Sequence, residues 1–150
     1  MTRYKDSDIH PNVDNALLAI RIVAGIVFVA HGSQKMFGMF GGAGLSGTVA
    51  HMGPIGYLVA IGEFFGGLGI LIGVLPRFSA ASNIVIMLGA IFTVHGKNGF
   101  FAQSSGFEYP FALIGLLLPI LIAGPGAYSI SSYVKLGDLF GRTTLKTQRQ

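Results

Sequence analysis

Residues 16–37, ALLAIRIVAGIVFVAHGSQKMF, decide the fold. The run is apolar over the length a helix needs to cross the hydrocarbon core of a bilayer, roughly 20 residues. It nevertheless carries Arg21 and His31. Two further apolar stretches repeat the pattern, residues 57–75 with Glu63 and residues 78–96 with His95. Ionisable groups are expensive in hydrocarbon and usually face a bundle interior or a cavity. Two histidines and a glutamate, each in its own stretch, therefore point to polar chemistry inside a membrane.

A fourth apolar stretch, residues 109–124, is short. Its Pro119 removes one backbone hydrogen bond and is expected to kink the helix, and Gly124-Pro125-Gly126 stops it. Tyr109 and Tyr128 would stand at the two interfaces, where amphipathic rings are favoured. No stretch alternates apolar and polar residues over several strand lengths, so helices are left as the way to satisfy the backbone in lipid. The sequence thus reads as an all-α membrane protein, a bundle of four transmembrane helices over residues 16–127. A cytoplasmic segment (1–15) precedes the bundle and a basic tail (128–150) follows. Gly62, Gly66, Gly69 and Gly73 form small-xxx-small pairs that let a neighbouring helix approach the second span.

The first span is too long in its apolar core for a cleaved signal peptide and is interrupted by Arg21, so it is expected to remain as a signal anchor. Arg3, Lys5, Arg77, Lys135, Arg142, Lys146 and Arg149 fall on one side of the spans, against Lys35 and Lys97 on the other. The positive-inside rule then makes both termini cytoplasmic. Ile130, Tyr133, Val134 and Phe140 stand near helical spacing beside Lys135 and Arg142. That pattern suits a segment lying along the inner leaflet, and equally a tail without fixed structure.

Composition agrees: 51% of residues are hydrophobic and 11% charged, where a soluble domain carries about 25% charged residues. The chain has no cysteine, which excludes a disulfide, a thiolate zinc site, cysteine-ligated iron–sulfur clusters and dithiol redox chemistry. The net charge of +4 is split between tails and short loops, with no basic stripe for nucleic acid to follow.

With a rise of about 1.5 Å per residue, His31 and His95 lie about 22 and 25 Å above the inner ends of their spans, and Glu63 about 21 Å. The three share one level in the outer half. Gln34 and Lys35 follow His31 on the same helix face, and Lys97 and Glu108 flank the loop between the third and fourth spans. The residues leave three readings open. Glu63 pairs with His31 or Lys35 and fixes helix register; the cluster forms a pocket for a polar head group and exchanges its protons; or the histidines ligate a metal or haem. Arg21 lies about 8 Å from the inner end of its helix, so snorkelling or a hydrogen bond to Asn83 is expected, with an inner proton or head-group contact as the alternative.

Residues 42–47, GAGLSG, match GxGxxG, with Glu63 roughly 20 residues beyond as a dinucleotide site would ask. No strand precedes the motif, and Glu63 belongs to a membrane span. The stretch from Gly38 to Gly47 reads instead as a flexible outer loop, a candidate lid, with the loop from Lys97 to Gly106 over the same mouth.

Several motifs in order carry a family resemblance: Arg21-Ile22-Val23-Ala24-Gly25 leading to His31-Gly32-Ser33-Gln34-Lys35-Met36-Phe37-Gly38; Glu63-Phe64-Phe65-Gly66-Gly67; His95-Gly96-Lys97-Asn98-Gly99-Phe100; Glu108-Tyr109-Pro110; and Gly124-Pro125-Gly126-Ala127-Tyr128-Ser129-Ile130. Over residues 15–131 the chain resembles the DoxX family of small bacterial inner-membrane proteins. The resemblance implies four helices. It also implies a role like that of relatives described as small subunits of quinol oxidase or thiosulfate:quinone oxidoreductase systems, or associated with membrane redox complexes in oxidative stress. The positions it carries over are Arg21, His31, Gln34, Lys35, Glu63, His95 and Glu108. Members often place an aspartate where this chain has Ser131, and relatives built on cysteine pairs are no guide to it.

The expectation is an accessory or small subunit of a quinone-linked oxidoreductase in the bacterial inner membrane. His31 and His95 would hydrogen-bond a quinone or quinol head group, Glu63 would accept or relay a proton, and Lys35 would tune the charge, with Gln34, Arg21 and Glu108 as further binding positions. Electrons would come from another membrane redox subunit or a soluble donor. A non-enzymatic scaffold is the alternative, and a small-solute or lipid carrier a third, which four spans disfavour unless the protein forms a homo-oligomer.

Overall fold

A computed structural model gives the protein's structure and describes residues 11–134. Six helices follow in order: α1 (Pro11–Phe37), α2 (Gly44–Met52), α3 (Ile55–Ile72), α4 (Pro76–Ala90), α5 (Glu108–Ala123) and α6 (Ile130–Tyr133). No strand occurs among the described residues. The segments Pro11–Phe37, Ile55–Ile72 and Pro76–Asn98 are long and apolar enough to cross a membrane, and α5 is the short fourth member of the bundle. At 16 residues, α5 spans only about 24 Å at 1.5 Å per residue, less than a hydrocarbon core of about 30 Å. Pro119 sits inside this helix. The core is thin: Ala24, Phe28, Ile70, Ala80, Met87, Leu113, Leu117 and Ile120. Large apolar side chains such as Phe78, Phe92 and Ile122 point outward, as lipid permits.

Helices α1 and α3 form the tightest seam, and glycine makes it. A Cβ on Gly32 would run into the Phe64 backbone, and one on Gly67 would lie 2.7 Å from the Val29 nitrogen. Gly62, Gly66 and Gly69 face the other way, against Ile86, Asn83 and Ser79 of α4. Gly73, by contrast, ends α3 in the left-handed conformation, with φ 75°.

The start of α1 and the end of α5 meet at one end of the bundle, where the Ala127 amide donates to Asp14 Oδ1 at 2.8 Å. The α3–α4 turn is there too, since the Ser131 amide donates to the Gly73 carbonyl at 3.1 Å. The connection from α1 to α3 and the loop from α4 to α5 lie at the opposite end.

The expected loop of residues 38–47 is corrected in part. After a 3-10 turn at Met39–Gly41 the chain enters α2, whose buried Thr48 donates to the Lys35 carbonyl at 3.2 Å. Of the GxGxxG glycines, Gly42 lets the chain pass against the Gln34 backbone, Gly44 enters α2 with φ 68°, and Gly47 lies inside that helix. Helix α6 is a single turn and Val134 is already extended; Lys135, Phe140 and Arg142 of the expected surface segment lie outside the described residues.

Candidate functional site

The approach of α1 to α3 at Gly32 carries Lys35, nearly one turn further along α1, onto Glu63. Lys35 Nζ donates to Glu63 Oε2 at 2.6 Å, and the side chains are 27% and 5% exposed. Glu63 lies on the buried stripe of α3 with Gly56, Ala60, Gly67 and Ile70. Of the two partners expected for Glu63, the structure selects Lys35. His31 has another partner: its Nε2 stands 3.1 Å from the Tyr109 hydroxyl at the start of α5, with the rings tilted and their centroids 5.8 Å apart. His31 stands one turn before Lys35 on α1, so the two pairs are neighbours. Three helices therefore bring together an ammonium, a carboxylate, a phenol and an imidazole.

His95 and Glu108 are occupied in the loop between α4 and α5. The α4 helix ends in a π turn, Ile91–His95, closed by the Gly96 amide on the Ile91 carbonyl. His95 Nδ1 lies 2.8 Å from the Ser105 carbonyl, which also accepts from Asn98 at 3.1 Å. A carbonyl only accepts, so Nδ1 carries the proton and Nε2 of a neutral ring is left as an acceptor. Glu108 Oε2 accepts from the Ala102 amide at 2.8 Å. Both residues shape the loop. Gln34 also turns to a loop, its Nε2 lying 3.5 Å from the Phe40 carbonyl. His31, Glu63 and His95 do not converge as a ligand set: the described residues contain no group of three side chains placed to hold a metal.

Arg21 neither snorkels nor meets Asn83. It is 1% exposed and spends its donors on four carbonyls: Nε on Ile70 at 2.9 Å, Nη2 on Leu71 at 3.0 Å, and Nη1 on Pro125 at 3.0 Å and Tyr128 at 2.6 Å. The first two are among the orphan carbonyls that end α3. A planar fork of five donors suits the task, and the negative end of the helix dipole favours the charge. Arg21 thus ties the 125–128 turn to the end of α3, remote from the polar cluster. Asn83 instead donates Nδ2 to the Ser79 carbonyl at 3.0 Å, with Oδ1 buried and unpartnered.

Tyr109 is the member of the cluster that the sequence left at the interface. The signal available was its place beside Glu108 at the head of the fourth span.

Residues 16–96 match the family model of DoxX. The chain belongs to the DoxX family. It is 35% identical over 120 residues to "Inner membrane protein YqjF" of Escherichia coli K12, covering 78% of this chain and 90% of that protein. It is 25% identical over 127 residues to "Putative oxidoreductase CatD" of Bacillus subtilis 168, covering 85% and 92%. An uncharacterized protein of Haemophilus influenzae is 29% identical over 66 residues, 44% of each chain. No solved structure matches. With its apolar helices, this DoxX protein is a multi-pass protein of the inner membrane.

Proposed function

We propose that this DoxX protein is an accessory or small subunit of a quinone-linked membrane oxidoreductase. The observation behind the reading is the Lys35–Glu63 pair set beside the His31–Tyr109 pair within the bundle. One ion pair is enough to fix helix register. The phenol and imidazole beside it add two groups that can both give and take a proton. The name of the Bacillus subtilis relative supports the redox class.

The donor set fits a quinone head group, because Lys35 Nζ, the Tyr109 hydroxyl and a protonated His31 can each donate to a carbonyl oxygen. A bound quinone would supply two-electron, two-proton chemistry, with electrons delivered by another membrane subunit or a soluble donor. The chain's own part is to orient that head group and to move protons. Glu63 relays one, taking it up at its carboxylate and giving it to the reduced head group while Lys35 holds the carboxylate in place, and His31 and Tyr109 pass the second to it along their shared hydrogen bond. By the positive-inside count, the cluster faces the outer half of the membrane.

The test is purification with native partners in mild detergent, extraction of bound quinone, and turnover with His31→Gln and Tyr109→Phe variants. Retained folding with loss of quinone binding or turnover is the expected result. Folded variants with undiminished quinone and turnover would leave a non-enzymatic scaffold as the better account.

A further inference from the structure

At the end of the bundle where α1 begins and α5 finishes, a cleft of about 700 Å³ opens between the α3–α4 turn and the 123–132 segment. One carboxylate, Asp14, and one guanidinium, Arg77, line it, with the hydroxyls of Ser131 and Ser132 and the apolar side chains of Leu75 and Phe78. The two charges do not pair with each other; the ion pair recorded among the described residues joins Lys35 to Glu63. Asp14 uses Oδ1 to hold the Ala127 amide. Arg77 is exposed and gives Nη2 to the Ile122 carbonyl at a long 3.3 Å.

The cleft's position is as informative as its charges. It lies where helices enter and leave the bundle, so it stands at the level of lipid head groups whichever face of the membrane this end occupies. Phe78 and Leu75, 70% and 54% exposed, offer apolar surface beside it. We propose that the cleft binds the head group of a zwitterionic aminophospholipid of the phosphatidylethanolamine type. The phosphate lies against Arg77, the primary ammonium against Asp14, and the acyl chains run over Leu75 and Phe78. An anionic head group such as that of phosphatidylglycerol can set the same phosphate against Arg77 but has no ammonium to neutralise Asp14, whose charge is then left unpaired beside it. A choline head group has no N–H to give to Asp14. The polar cluster at the opposite end takes no part, so this assignment stands apart from the quinone reading.

The test is native mass spectrometry of the delipidated full-length protein in mild detergent, titrated with phosphatidylethanolamine, phosphatidylglycerol and phosphatidylcholine of equal chain length. Phosphatidylethanolamine should be retained over each of the others by about fivefold, the ratio an exposed ion pair can supply. Asp14→Asn keeps an oxygen for the Ala127 amide, so the fold is preserved while the preference disappears. Arg77→Gln should lower phosphatidylethanolamine retention outright. Equal retention of phosphatidylglycerol by the parent protein, or an unchanged preference in Asp14→Asn, would overturn the assignment. Equally good competition by free phosphoethanolamine would also overturn it, by showing a soluble ligand.

Discussion

Replacing Arg21 with methionine removes a side chain of similar length and strips four carbonyls, those of Ile70, Leu71, Pro125 and Tyr128, of their donor. A hydrogen bond to a charged group contributes about 1.5–3 kcal/mol, so four of them bound the loss at about 6–12 kcal/mol. Against that stands the desolvation of the guanidinium, a penalty of several kcal/mol that methionine does not incur. The balance is a destabilisation of about 3–5 kcal/mol, carried by carbonyls left without a donor. Lysine keeps the charge but offers three donors from one point instead of a planar fork, so Arg21→Lys should lose about half as much. The assay is reversible unfolding of the purified protein in detergent, followed by helical circular dichroism. A methionine variant within about 1 kcal/mol of the parent would refute the clamp, being less than one such bond is worth. A lysine variant equal to the parent would show that the fork geometry is not used.

Glu63→Leu leaves the Lys35 ammonium without its acceptor whereas Glu63→Gln retains one, so the leucine variant should melt lower, by about 1–3 kcal/mol; equal melting would mean the pair carries no weight. Gly32→Ala drives a Cβ into the Phe64 backbone and should destabilise by about 1–3 kcal/mol. Gly115→Ala, which meets nothing within 4 Å, should be neutral or gain up to about 1 kcal/mol of helix propensity; similar losses at both positions would remove the seam argument. Single cysteines at Ala43 or Ser104 should react with an impermeant thiol reagent in whole cells, and cysteines at Ser7 or Thr144 should not. The reverse pattern would place the polar cluster in the cytoplasmic half.

Hydropathy made the spans legible because a helix in lipid must be apolar over a fixed length. Structure and sequence accordingly differ by only a few residues at their ends. Helix α2 was hidden because Gly42, Gly44 and Gly47 resemble a loop, and nothing local reveals that Thr48 will find the Lys35 carbonyl. Depth arithmetic put His31, Glu63 and His95 at one level, but level does not fix azimuth, and azimuth decides contact. His31 therefore met Tyr109, Glu63 met Lys35, and His95 turned to Ser105. Arg21 departs from the sequence expectation for a related reason: its partners Pro125 and Tyr128 lie more than a hundred residues away, and only the folded chain brings that turn back.

The π turn at Ile91–His95 gives the azimuth of His95 an unusual origin. Such turns hold one residue more than an α turn and occur frequently at functional sites. The wider turn takes in the extra residue, covering with five residues about the rotation that four cover in an α turn, so deleting one residue from Ile91 to Val94 would restore ordinary winding and leave His95 facing nearly the same way. Where this imidazole points is thus insensitive to one extra residue upstream, because the backbone widens to take it in. Two chains could share the same histidine and the same flanking glycine, differ in length by one residue upstream, and still direct the ring at the same neighbour.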